Sequence, residues 1–267
     1  MSAINELLEV MKNLRDPENG CPWDRAQTIK SISGYTLEEA YELVESIENE
    51  DMPGLCDELG DLLFHIVFYA EMANESDFFD FETICARASA KLKRRHPHVF
   101  AEKEFGDRKS LEQNWEQIKQ QERKEKEPQQ RNGTGTSLLS DIGGSFPALI
   151  RAEKLQKRAA SVGFDWSELT PVFAKIEEEL AEVKQAVESS NSEQAVLDEF
   201  GDLLFSCVNL GRHLGVQAES ALRQTNLKFL HRFDYIEQRL KAEGMELNEA
   251  NAERMEEFWQ EAKNSDP

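Results

Sequence analysis

Residues 57–64 read DELGDLLF and residues 198–205 read DEFGDLLF, identical at seven of eight positions and 141 residues apart. The likeness extends outward on both sides. Upstream, LEEAYELVE (37–45) answers EEELAEVKQ (177–185), and GCPWD (20–24) has a loose counterpart in VGFDW (162–166). Downstream, KLKRR (91–95) pairs with KFLHR (228–232), and Trp115 in NWEQIK pairs with Trp259 in FWQEAK. The order of features is preserved, so the chain reads as one unit of roughly 110–120 residues carried twice. Segments 36–50, 54–75, 81–95, 171–189, 193–214 and 218–243 place apolar residues three and four apart, the period of an amphipathic helix, and no stretch alternates as a strand would. The expected fold is all-α, with two helices of each unit paired as an antiparallel hairpin.

Between the copies, KEKEPQQRNGTGTS (124–137) is polar and contains Pro, Gly, Ser and Thr without an apolar period, the signature of a linker. The expected organisation is an N-terminal unit over 1–123, a linker over 124–137 and a C-terminal unit over 138–267. The last opens with a Gly143–Gly144 break and Pro147 ahead of the helical run FPALIRAEKLQKRAA.

The chain of 267 residues carries 52 acidic against 31 basic side chains, a net charge of −21. So acidic a surface repels nucleic-acid phosphates and excludes a DNA- or RNA-coating role. Cys21, Cys56, Cys85 and Cys207 form no C-x-x-C pair and read as buried or incidental thiols of a reducing compartment. The start, MSAINELLEVMKNLRD, lacks the basic, apolar and cleavage regions of a signal peptide. The longest near-apolar run, Leu62 to Ala70, falls far short of the ~20 residues that span a bilayer. A cytoplasmic protein without a membrane partner is expected.

On a helix, positions i and i+3 share a face. Glu179 and Glu182 have that spacing, as do Glu199 and Asp202 on the next helix, and a short connection near Ser189–Ser192 makes the two helices neighbours. Glu39, Glu42, Glu58 and Asp61 repeat the arrangement in the first copy. Four converging carboxylates repel one another unless a cation lies among them, and hard oxygen donors suit Mg²⁺, with Mn²⁺ an alternative. Gly60 and Gly201 fall inside the E-x-x-D turns, where glycine costs a helix ~1 kcal/mol. Close backbone approach at a helix crossing, or at a ligand, is the expected reason. A di-iron bundle would need Glu-x-x-His on paired helices; His65 is matched by Ser206 in the second copy and reads as a packed or surface histidine rather than a ligand.

Lys228 and Arg232 lie four apart on one helix face, as do Lys91 and Arg95 in the first copy, and such pairs can grip a polyphosphate. Lys175 precedes Glu179 by one turn, where the first copy has Tyr35. After Arg95, Pro97 should end the first copy's basic helix, whereas the second copy continues through RFDYIEQRL. No Walker loop is present, since NGTGTS lacks the Gly-Lys-Ser/Thr ending.

The paired E-x-x-E and E-x-x-D motifs, with the blocks GCPWDRAQT, DELGDLLFHIVFYA, RRHPHVF, RAEKLQKRAASVGFDW and GDLLFSCVNLGRHLG, resemble the MazG-type nucleoside triphosphate pyrophosphohydrolases in their tandem form. The likeness spans nearly the whole chain. It implies an all-α fold, Mg²⁺ dependence, homodimerisation and cleavage of nucleoside triphosphates, ATP among them, to the monophosphate and pyrophosphate in nucleotide-pool housecleaning. It further implies Glu179, Glu182, Glu199 and Asp202 as metal ligands. The implied nucleotide contacts are Lys175, Ile176, Glu177, Glu178 and Glu179; Ala195, Val196, Leu197 and Asp198; Asp202; Lys228 and Arg232; and Trp259, which could instead anchor the last helix. The C-terminal copy is the expected main catalytic one, with Glu178 or a ligand carboxylate as the group that positions water. Glu39, Glu42, Glu58 and Asp61 are possible metal ligands of the other copy, and Lys91 and Arg95 its phosphate contacts. Two alternatives stand beside this: a pyrophosphohydrolase confined to dUTP or phosphoribosyl-ATP, and a non-catalytic dimeric scaffold.

Overall fold

A computed structural model describes residues 2–101, 137–189 and 192–265, together with residues 111, 114, 115, 118, 121 and 122. The described residues form helices and turns and no strand. The chain folds as two compact units, Met1–Asn132 and Gly133–Pro267. Apart from Ser137, the expected linker lies outside the described residues.

The first unit contains α1 (Ala3–Leu14), α2 (Pro22–Ala26), α3 (Ser33–Glu48), α4 (Met52–Asn74), α5 (Phe81–Arg95) and α6 (Pro97–Phe100). Helices α3 and α4 form the expected hairpin. Their turn is made by Glu50, in the left-handed region at φ 56°, and by Asp51, whose carboxylate accepts the Gly54 N–H at 3.1 Å. That bond satisfies a donor that every helix start leaves open. Helix α4 buries Val67, Phe68 and Met72 against Met11 of α1 and Ile32 ahead of α3. Phe68 is fully buried, and a side chain of that size contributes about 1.5–3 kcal/mol on leaving water. Asp80 caps α5 through the Thr83 N–H at 2.8 Å. Helix α5 stops at Arg95, as Pro97 requires, because the residue before a proline is pushed out of helical backbone. The short helices α2 and α6, which periodicity does not reveal, begin at Pro22 and Pro97, where a fixed φ favours a first turn.

The second unit contains α7 (Ala148–Ala160), α8 (Leu169–Glu188), α9 (Glu193–Leu214), α10 (Ala218–Ala242) and α11 (Ala252–Ser265). Helices α8 and α9 repeat the hairpin, α7 packs on α9, and α10 packs on α11. Ser192 caps α9 by accepting the Ala195 N–H, and Gly215 ends that helix in the left-handed conformation at φ 72°. Ile236, Leu240 and Phe258 form the buried core between α10 and α11. All four cysteines are free, and no described helix is long and apolar enough to cross a membrane.

The expected helix crossing at Gly60 and Gly201 is corrected. A Cβ placed at either glycine meets nothing within 4 Å, so no described element of the chain crowds these positions.

Candidate active site

Each hairpin brings carboxylates together by helix periodicity alone. In the first unit Glu39 of α3 and Glu58 and Asp61 of α4 each offer an oxygen within 4.8 Å of the others. In the second unit Glu179 of α8 and Glu199 and Asp202 of α9 do the same. The fourth carboxylate of each set, Glu42 or Glu182, stands outside its trio but within its field. Desolvation and then the charges of Glu179 and Glu199 raise the Glu182 carboxyl above the usual range.

The two trios differ in what stands beside them. In the first unit Glu39 and Glu58 are both pushed up, by desolvation first and then by neighbouring acidic charges. In the second unit Lys175 supplies the counter-charge. Its Nζ lies 2.8 Å from Glu178 Oε1 and 2.8 Å from Glu179 Oε1. Those hydrogen bonds hold the ammonium well above the usual lysine range. Tyr35, at the equivalent place in the first unit, packs edge-on to Trp23 with ring centroids 6.2 Å apart.

Glu179 is buried, with 4% of its surface exposed, and its Oε2 has no hydrogen-bond partner among the described residues. A buried carboxylate oxygen left unmatched is costly. Facing Glu199 and Asp202, it completes an all-oxygen donor set, which fits a hard divalent cation.

Two members of the second trio, Glu179 and Asp202, line a cavity of about 690 Å³, within the range that takes a small molecule. Lys175, Glu179 and Asp202 line one part of it, and Leu155, Phe164 and Trp166 another. On α9, Asp202, Phe205, Ser206, Asn209 and Arg212 recur at helical spacing along the wall. Arg212 ties the preceding loop to this helix. Its Nη1 donates to Asp165 Oδ2 at 2.9 Å, and its Nε donates to Asn209 Oδ1 at 3.0 Å. The guanidinium holds the Asp165 carboxyl below the usual carboxylate range. Neither Asp165, Asn209, Arg212 nor Gln156 emerges from motif spacing. The signal available was the i, i+4, i+7 stripe of polar residues, Ser206 and Asn209, that continues from Asp202 along α9. In the repeat, Phe68 stands where Asn209 stands and His65 where Ser206 stands. Phe68 belongs to the buried core, and His65 packs beside Phe64 with its ring nitrogen pushed down by burial.

The other sequence candidates fall elsewhere. Ile176, Glu177 and Glu178 continue α8 beside Lys175, and Glu178 is more than half exposed. Ala195, Val196, Leu197 and Asp198 form the first turns of α9, with Asp198 Oδ1 accepting from Gln194 at 2.7 Å. The Arg232 guanidinium lies 5.4 Å over the Trp259 ring, which also packs on Phe229 at 5.3 Å. Trp259 thus fastens α11 to α10. Lys228 shares α10 with Arg232, and none of the three lines the cavity. In the first unit Lys91 is exposed on α5, while Arg95 is held by Glu122 at 2.5 Å, with Arg94 on the same carboxylate. Trp115 Nε1 donates to the Arg95 carbonyl at 2.5 Å, so both repeat tryptophans dock on the helix that carries their basic pair.

Residues 27–100 match the family described as MazG nucleotide pyrophosphohydrolase domain, and residues 146–229 match phosphoribosyl-ATP pyrophosphohydrolase. The chain is 50% identical to the nucleoside triphosphate pyrophosphohydrolase of Escherichia coli K12, covering 98% of each protein. It is 42% identical to the nucleoside triphosphate pyrophosphohydrolase/pyrophosphatase MazG of Thermotoga maritima, over 98% of this chain and 96% of that protein. It is also 32% identical to the nucleoside triphosphate pyrophosphohydrolase of Mycobacterium tuberculosis, over 53% of this chain and 41% of that protein.

Proposed function

From the premise that this chain belongs to the MazG family of nucleoside triphosphate pyrophosphohydrolases, we propose that it hydrolyses nucleoside and deoxynucleoside triphosphates broadly to the monophosphate and pyrophosphate, with Mg²⁺ as cofactor. The observation that carries this is the second unit's carboxylate trio, with the orphaned Glu179 Oε2, two of whose members line with Lys175 a cavity large enough for a nucleotide.

Glu179, Glu199 and Asp202 would hold the cation, with Glu182 one turn along α8 as the fourth carboxylate. When bound, a divalent cation would supply charge to offset the phosphate's and would acidify water. The protein's own groups do the rest. Lys175, already poised on Glu179, turns its remaining N–H donors towards the phosphate oxygens. Glu178 Oε1, bonded to the same lysine, positions the attacking water and accepts its proton. The first turns of α9, residues 195–198, and the pair Lys228 and Arg232 supply further nucleotide contacts.

We assign the principal activity to the second unit. Two of its trio line an open cavity, whereas the first unit carries a core phenylalanine at the position of Asn209. The enzyme works as a homodimer. Leu197, Phe200 and Leu204 of α9 and Leu222 and Phe229 of α10 are exposed, an apolar face that a second copy would cover. Reaction in the nucleotide pool places the protein in the cytoplasm.

The test is pyrophosphate release over a panel of nucleoside triphosphates, dUTP and phosphoribosyl-ATP, with Mg²⁺ or EDTA. Glu199→Gln is expected to lower turnover by at least about 100-fold, and Glu58→Gln to change it little. Turnover unaffected by EDTA would refute the metal role. Loss of activity with Glu58→Gln alone would move the working site to the first unit. Since residues 146–229 match phosphoribosyl-ATP pyrophosphohydrolase, activity confined to that substrate is the second reading that the panel decides.

A further inference from the structure

Gln156 of α7 lines the cavity beside the second trio and is buried, with 8% of its surface exposed. Its Nε2 donates to the Phe205 backbone carbonyl at 2.8 Å. A carbonyl only accepts, so this bond fixes which way the amide lies: nitrogen towards Phe205, oxygen away from it. The oxygen, Oε1, has no donor among the described residues. An unmatched buried acceptor is costly, and a bound donor recovers that cost. The surrounding wall is apolar and aromatic, with Leu155, Phe164 and Trp166, a lining suited to the faces of a flat ring. Lys175, the proposed phosphate contact, and Glu179 and Asp202, the proposed metal ligands, line the same cavity.

We propose that Gln156 is the base-contacting residue of the second unit, its Oε1 accepting an N–H from the hydrogen-bonding edge of the substrate's nucleobase. This rests on the triphosphate reading given above and deepens it. Adenine and cytosine present an amino group on that edge, guanine an amino group and a ring N–H, and uracil and thymine a ring N–H. One acceptor whose orientation is locked therefore takes any of the common bases and selects only against a ring with no donor there. The breadth of the enzyme and its one point of discrimination come from the same atom.

The experiment compares ATP with purine riboside triphosphate, which lacks the amino group and any N–H on that edge. It uses the full-length protein carrying Glu58→Gln, so that turnover reports on the second unit. With Gln156 present, kcat/KM for purine riboside triphosphate should be about tenfold below that for ATP, with the difference mainly in KM, as the loss of one hydrogen bond to a buried acceptor predicts. With Gln156→Met, similar in size but without the acceptor, the ratio should fall to about one. Equal KM values for the two substrates when Gln156 is present would overturn the proposal. So would a tenfold ratio that survives Gln156→Met. The first comparison needs no variant at Gln156 and stands even if that variant does not fold. Pyrophosphate from neither substrate would instead overturn the triphosphate reading itself, and this inference with it.

Discussion

Lys175 is the residue at which the two copies part. In the first unit the carboxyls of Glu39 and Glu58 are raised by desolvation and by neighbouring acidic charges, while in the second a lysine sits on Glu179. The same Nζ is thus both a counter-ion for a candidate metal ligand and a candidate phosphate contact, and the two roles predict opposite effects of removing it. Lys175→Met frees Glu179 from competition, so the Mg²⁺ concentration giving half-maximal activity should fall. It also removes a cation from the reacting phosphates, so kcat should fall about 10–100-fold. A metal titration of initial rates reads both, and a variant unchanged in both would reduce Lys175 to a surface ion pair. The carboxylates of this site were legible in the sequence because i, i+3 spacing dictates a shared helix face. The lysine's position near them was legible for the same reason, but its partner was not, since spacing does not say whether a side chain turns to its neighbour or to a ligand. Gln156 was illegible altogether. In RAEKLQKRAA it is one polar residue among several, and only the packing of α7 on α9 buries it.

Helix α9 carries the clearest conflict between an element and its use. Gly201 lies in mid-helix and has open space around the position of a Cβ. Gly201→Ala should therefore stabilise the second unit by up to about 1 kcal/mol, through helix propensity alone. If the glycine serves the approach of substrate or of a second copy, the more stable variant should be the less active one, and thermal melts paired with initial rates will show it. Helix α5 makes a different prediction. The Glu122 carboxyl is lowered to about 2, first by its hydrogen bond from Arg95 and then by that from Arg94, against the cost of burial. A carboxyl lowered in the folded state stabilises the fold above its unfolded value, near 4.5, and that contribution drains away as the pH falls towards 2. Glu122→Gln should thus cost about 1–3 kcal/mol at pH 7. In urea unfolding, its deficit relative to the parent should shrink between pH 4.5 and 2. Helix existence was readable from periodicity; Arg95 as an ion-pair partner of Glu122 was not, because the two lie far apart in sequence and any of the four basic residues of KLKRR could have faced solvent.

Duplication gives the whole molecule two carboxylate trios in two separately packed units, and this makes metal binding readable without activity. A ligand that binds only the folded state raises stability by RT ln(1 + [L]/Kd), about 2.7 kcal/mol at a hundredfold excess over Kd. For a unit of this size that corresponds to a rise of about 5–10 °C in its melting temperature. In EDTA the trios are held together against their own repulsion, so Glu199→Gln should melt no lower than the parent there, and Glu58→Gln likewise. With Mg²⁺ the parent should shift upward. Glu199→Gln should erase the part of the shift that belongs to the second unit, and Glu58→Gln the part that belongs to the first, if the first binds metal at all. The two variants therefore apportion metal between units that are nearly equivalent by motif. A shift lost only with Glu199→Gln would mean that the copies have divided their labour, in keeping with Lys175 beside one trio and Tyr35 at the equivalent place of the other. Equal losses from both would make each unit a metal site and place the difference between them at the cavity, where Asn209 faces the space and Phe68 belongs to the core. A parent whose melting temperature ignores Mg²⁺ at every concentration would remove the metal from both.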